Sequence, residues 1–165
     1  MAGCLICRIR LQNETDAAIA SRVMGENFNL QRFVDAQAPV YSQVVAELRA
    51  GHKRSHWMWF IFPQIAGLGH SAMAQRFAIG SRAEANAYLE HPVLGARLRA
   101  CTELVMAVEN RSIGEIMGSP DDLKFRSSMT LFAEVAGDAE IFRRAIAKYY
   151  PAGDDAPTLR ILSEQ

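Results

Sequence analysis

From Tyr41 onward the apolar positions of the chain fall in a helical rhythm. Tyr41, Val44, Val45 and Leu48 take the i, i+3, i+4, i+7 spacing of an amphipathic helix, which Pro39 can open and Gly51 can end. Ser71 is placed to cap a helix through Met73, Phe77 and Ile79, and Ser81 another that carries Ala85, Tyr88 and Leu89 and stops before Pro92. Leu94, Leu98, Cys101, Val105 and Val108 predict a longer, strongly one-faced helix, followed by a short one through Ile113, Ile116 and Met117 that ends at Gly118. Ser119-Pro120-Asp121-Asp122 reads as a helix start, with a capping serine, proline in the first helical position and two carboxylates at the positive end of the dipole. Phe125, Met129, Phe132 and Ala136 mark the buried face of that helix. Phe142, Ala145, Ile146 and Tyr149 mark the next, which Pro151-Ala152-Gly153 breaks before a last helix over Pro157 to Leu162. No alternating strand pattern of useful length occurs. The expectation is an all-α, single-domain bundle of about six to eight short helices.

Residues 1–23 carry no such pattern. They are expected to be a poorly ordered N-terminal extension, with Met24 a candidate alternative start, and residues 24–165 to form the helical domain. Cys4 and Cys7 have metal-ligand spacing, but no matching second pair follows, and the incidental reading is preferred.

Composition narrows the function classes. Half of the 165 residues are hydrophobic, and 18 acidic side chains balance 18 basic ones, so net charge gives no support to general nucleic-acid or membrane-surface binding. Three cysteines cannot build a disulfide framework and the sequence has no secretory signal, so the cytoplasm is the expected compartment. The longest apolar run, Trp57 to Phe62, is far below the roughly 18 residues of a membrane helix. Cys101 lies on the buried stripe of its helix and is read as a small core hydrophobe.

Candidate chemistry gathers in two places. Gly51 to Ser71 holds Lys53, Arg54, three histidines and both tryptophans, then Gln64 and a Gly67-Leu68-Gly69 turn ahead of the helix at Ser71. Cations, aromatic faces and glycines that allow close backbone approach suit the wall of an anion site, although Trp57 to Phe62 is also the largest apolar payload of the chain and serves equally as core. Whether that run is a short buried strand or a helical turn is not decided by its periodicity. His52 and His56 stand four apart, with His70 a third candidate, but no metal site is expected because no carboxylate accompanies them. The second place is Asp122 to Thr130, where Lys124, Ser127 and Ser128 share one flank of the buried face and Asp122 and Arg126 are spaced for an i, i+4 ion pair. Serines within a helix need hydrogen-bond partners. These are either a neighbouring helix or the oxyanion of a ligand held by Lys124, Ser127 and Thr130. No nucleophile, base and acid set emerges from spacing alone.

RFVDAQ at Arg32 to Gln37, KRSHWMWFIFPQ at Lys53 to Gln64 with the following glycines and Ser71, YLEHPVLGARL at Tyr88 to Leu98, DLKFRSSMTLF at Asp122 to Phe132 and DAPTLRIL at Asp155 to Leu162 together resemble the domain of unknown function 1810 family. These are small bacterial proteins, some of them labelled calpastatin. The resemblance runs from about Phe28 to Leu162, and the HWMWFIFPQ core is its most specific part. It implies an all-helical fold and no established activity. Matched by position, its characteristic residues include Lys53, His56, Trp57, Trp59, Pro63, Gln64, Gly67, Gly69, Ser71, Tyr88, Gly95, Arg97, Asp122, Lys124, Ser127, Thr130, Asp155 and Thr158. At His52 the family more often has a basic residue, which weakens the two-histidine idea further.

The favoured expectation is a binding or hydrolytic domain for a small anionic, phosphate-bearing ligand such as a nucleotide or ADP-ribose derivative. Trp57 and Trp59 would stack, Lys53, Lys124 and Arg97 would meet the anion, and His56 would be the acid-base group because its ordinary pKa lies near neutrality. No cofactor is expected. The alternative is a non-enzymatic interaction module with the aromatic run as core or interface.

Overall fold

A computed structural model describes residues 28–165. The expectations for the first 23 residues, including Cys4 and Cys7, lie outside that range. The described chain forms helices α1 (Gln31–Gln37), α2 (Tyr41–Arg49), α3 (Met58–Ile61), α4 (Ala72–Arg76), α5 (Arg82–Glu90), α6 (Leu94–Met106), α7 (Ile113–Met117), α8 (Asp121–Val135), α9 (Glu140–Tyr149) and α10 (Ala156–Ser163). The architecture is all-α. The described residues contain no strand, only an isolated parallel bridge between Ile65 and Ile79.

Two helices organise the rest. α6 packs against α2, α5 and α9, while α8 packs against α5, α7, α9 and α10, and the one-turn α3 is wedged between α6 and α8. Phe125 on α8 meets Phe62 edge-on at 4.9 Å, and Phe33 on α1 meets Tyr88 on α5 at 5.0 Å, so aromatic contacts tie the thin elements to the thick ones. The α5–α6 corner depends on Gly95, where a Cβ would lie 1.9 Å from the Leu89 carbonyl oxygen.

Three local expectations change, and one point the spacing left open is decided. The helix after Ser71 stops at Arg76, because Phe77 leaves the helical region and Ile79 turns instead to the bridge with Ile65. α8 begins at Asp121 with Pro120 in the capping position, and Ser119 makes no cap hydrogen bond. Arg126 does not pair with Asp122; its guanidinium donates to the carbonyls of Gly153 and Asp154 at 2.8 and 2.9 Å and so anchors the turn before α10. The aromatic run becomes a single helical turn. Its residues are apolar all round, so it offers no stripe to read, and Pro63 disfavours helical geometry at Phe62, where the turn ends.

Candidate functional site

The segment between α2 and α3 is held from both sides by a carboxylate. On one side is Glu47, which lies within the buried face of α2 beside Val44 and Leu48. Its Oε2 accepts from the Trp57 indole Nε1 at 2.8 Å and from the backbone N–H groups of Arg54 and Ser55 at 2.9 and 3.2 Å. Its Oε1 accepts from the Ser55 hydroxyl at 2.7 Å and the Gln43 amide at 3.1 Å. Burial alone would raise the pKa of this carboxyl, but the hydrogen bonds from Arg54, Ser55 and Trp57 outweigh it and bring it down to about 2. The buried charge is therefore satisfied entirely by neutral dipoles.

On the other side is Asp121, the first residue of α8. Lys53 Nζ lies 2.6 Å from its Oδ2 and Lys124 Nζ 2.7 Å from its Oδ1. Burial pushes this carboxyl up, yet the two ammonium groups prevail and hold it below the usual carboxylate range. Each lysine also stands near a tryptophan, Lys53 at 5.1 Å from the Trp57 ring centroid and Lys124 at 4.9 Å from that of Trp59. The two regions singled out in the sequence thus meet at one carboxylate that neither had included. The three side chains grade outward, with exposures of 8% for Lys53, 17% for Asp121 and 23% for Lys124. Lys53 also donates to the Ser55 carbonyl at 2.8 Å, which leaves Lys124 as the member facing solvent with donors to spare.

The remaining candidates divide. Trp57 is 1% exposed and its indole N–H is committed to Glu47, so it has no face for a ligand, and the stacking role assigned to it is withdrawn. Trp59 is half-buried and lines a narrow cleft with Gln64, Gly67, Gly69, Ala74 and Phe77. The enclosed room there is about 10 Å³, enough for one water at most. Gly69 could not be larger, since a Cβ would come within 2.5 Å of the Ala74 side chain. Ser71 is the cap of α4, its Oγ accepting from Ala74 N at 3.1 Å. Ser127 and Thr130, expected at an anion, are buried structural groups. Ser127 donates to the Leu123 carbonyl, and Thr130 Oγ1 accepts from the backbone N–H of Asp155, whose carboxylate caps α10 through Thr158. Arg97 donates to the buried Gln37 at 3.2 Å and stacks on Tyr41, part of a network that runs through Gln37 to Tyr88 and the Phe60 carbonyl. His56 is exposed and makes no side-chain hydrogen bond among the described residues. Cys101 is fully buried, and burial pushes its thiol up to about 12, which leaves no thiolate for chemistry. Among the described residues no three His, Cys, Asp or Glu side chains come together as a metal site, and no helix is long and apolar enough to cross a membrane.

Two residues that matter most were missed. Glu47 had a readable signal, an acidic residue set inside an apolar stripe, which demands partners. Asp121 reads from the sequence as a helix-dipole charge with Lys124 at i+3 on the same helix, but nothing local announces that the distant Lys53 converges on it as well.

Fold and site together define an all-helical domain with a lysine–aspartate–lysine bridge beside a half-buried tryptophan. The chain belongs to the family described as protein of unknown function (DUF1810), whose model matches residues 27–162. Among solved structures it is similar to the conserved hypothetical protein Rv1873 from Mycobacterium tuberculosis, with 56% identity and a TM-score of 0.82 over 84% of this chain and 99% of that one. No protein of curated function matches it.

Proposed function

We propose that the protein binds a small anionic, phosphate-bearing ligand at the Asp121 bridge, with Lys124 as the contacting cation and Trp59 as the adjoining aromatic wall. The observation that carries this reading is the surplus of charge: two ammonium groups are held within 2.7 Å of a single carboxylate, so the half-buried cluster keeps one net positive charge. Lys53 serves as a buried positioning charge. Burial of Trp57, Met58, Phe60, Ile61 and Phe62 supports the core role of the aromatic run, which removes the interface form of the interaction-module alternative and leaves its core form. Binding is favoured over hydrolysis because His56, the favoured acid-base candidate, is exposed and has no carboxylate among the described residues to orient it.

A thermal-shift panel of nucleotides, sugar phosphates and ADP-ribose tests the reading. A ligand at about 100 times its dissociation constant adds about 2.7 kcal/mol, a clear rise in midpoint. The rise should vanish in Lys124→Ala. A flat panel, or a rise that survives in that variant, rejects the site.

A further inference from the structure

We infer that Asp121 is a specificity-determining residue that matches the site to a singly charged oxyanion, such as a phosphodiester, and selects against a doubly charged phosphate monoester. The inference rests on the anion-binding reading above and concerns the charge of the ligand that reading leaves open. Asp121 occupies, at 2.6 and 2.7 Å, the positions on Lys53 and Lys124 that two oxygens of a bound anion would otherwise take. It stays ionised, since both ammonium groups hold its pKa down, and so one of the two positive charges is always neutralised.

What remains is a site with a single net positive charge at Lys124. A monoanion arriving there reaches local neutrality. A dianion leaves one negative charge uncompensated beside the Asp121 carboxylate, and its desolvation, which grows with the square of the charge, is the larger. The aromatic ring of Trp59 next to Lys124 disfavours surplus negative charge as well, because the face of a π-system is itself electron-rich. The burial gradient strengthens this assignment: Lys53 is too enclosed to be recruited by a ligand without breaking its contacts to Asp121 and the Ser55 carbonyl. Lys53 thus fixes the carboxylate in place.

The probes are dimethyl phosphate, a monoanion, and methyl phosphate, a dianion at pH 8, titrated at constant ionic strength and followed by NMR through the Trp59 indole N–H resonance. The intact protein should bind dimethyl phosphate about fivefold more tightly than methyl phosphate, and Asp121→Asn should reverse the order by raising methyl phosphate affinity about tenfold. If the intact protein prefers methyl phosphate, or if Asp121→Asn tightens both probes equally, the inference is overturned while the anion site stands. If neither probe moves the resonance in either protein, both readings fall together. Should Asp121→Asn not fold, the preference of the intact protein decides alone. The double variant Lys53→Met, Asp121→Asn, which restores one net charge without a buried unpaired lysine, should again favour dimethyl phosphate.

Discussion

Glu47 and Asp121 are two carboxylates that grip the same short segment from opposite sides, and they solve the problem of a buried charge differently. Glu47 gathers five donors, none of them charged, from an indole, a hydroxyl, an amide and two backbone N–H groups. Every donor is consumed and nothing is left to offer a ligand. Asp121 gathers two full cations and sits nearer the surface, so it is overcompensated and leaves one of its partners, Lys124, with spare donors. A carboxylate satisfied by neutral dipoles fixes geometry, whereas one shared by two lysines leaves a field. The first kind builds the fold and the second is suited to recognition.

The largest test of this contrast is Glu47→Ala. It strands the buried Trp57 indole and two partly buried backbone N–H groups, and urea denaturation should show a loss of about 3 kcal/mol. An effect below about 1 kcal/mol would mean that water replaces the carboxylate and that the knot is not structural. Acid unfolding comes next in size. The folded pKa of Glu47 is held near 2, far below its ordinary value, so its ionisation stabilises the fold above about pH 4.5 and that contribution disappears as pH falls toward 2. The shift corresponds to about 3 kcal/mol, and the depressed Asp121 acts in the same direction. Stability measured from pH 5 to pH 2 should fall steeply in the intact protein and more gently in Glu47→Gln.

These two carboxylates also show where the sequence was legible. Helices whose apolar faces repeat over two or more turns, α2, α6 and α9, could be placed from spacing because burial of a stripe is a local demand. The caps Ser71 and Ser81 were equally plain, each accepting from the backbone N–H three residues on. α1 was not foreseen: it is two turns long and buries only Phe33 and Gln37, too little for a stripe. In the site, the residues around Trp59 and Lys124 were recognisable by type, but their use was not. Ser127, Thr130 and Arg97 carry the right chemistry and spend it inside the protein: Ser127 on the Leu123 carbonyl of its own helix, Thr130 on the turn before α10 and Arg97 on the Gln37 network. Only tertiary contact decides which polar group faces inward, and no spacing rule reports it.

Asp121→Asn sharpens the comparison at a smaller scale. Lys53 keeps the Ser55 carbonyl and the Trp57 ring and the bridge is partly exposed, so the loss should be about 2–3 kcal/mol, below that of a fully buried pair. Ionic strength separates the two carboxylates further. In 1 M salt, where the screening length falls to about 3 Å, the stability difference between the intact protein and Asp121→Asn should shrink. The difference caused by Glu47→Gln should stay, since none of the groups that donate to it is charged. Equal salt sensitivity in the two variants would erase the distinction drawn between them.

The smallest effect on the fold belongs to Lys124→Met, and there the two roles come fully apart. The methionine retains an unbranched stem to pack on Trp59 and gives up only a partly exposed ion pair, so stability should change by less than about 1 kcal/mol. Asp121 keeps Lys53 and remains ionised. The bridge then carries no net charge, and the field that would attract an anion is gone although the fold is intact. Phosphate-bearing ligands that stabilise the intact protein should leave this variant unmoved in a thermal-shift assay. Were Lys124→Met to unfold as readily as Glu47→Ala, the outer lysine would be a structural element, and the surplus charge at Asp121 would have no recognition role to explain it.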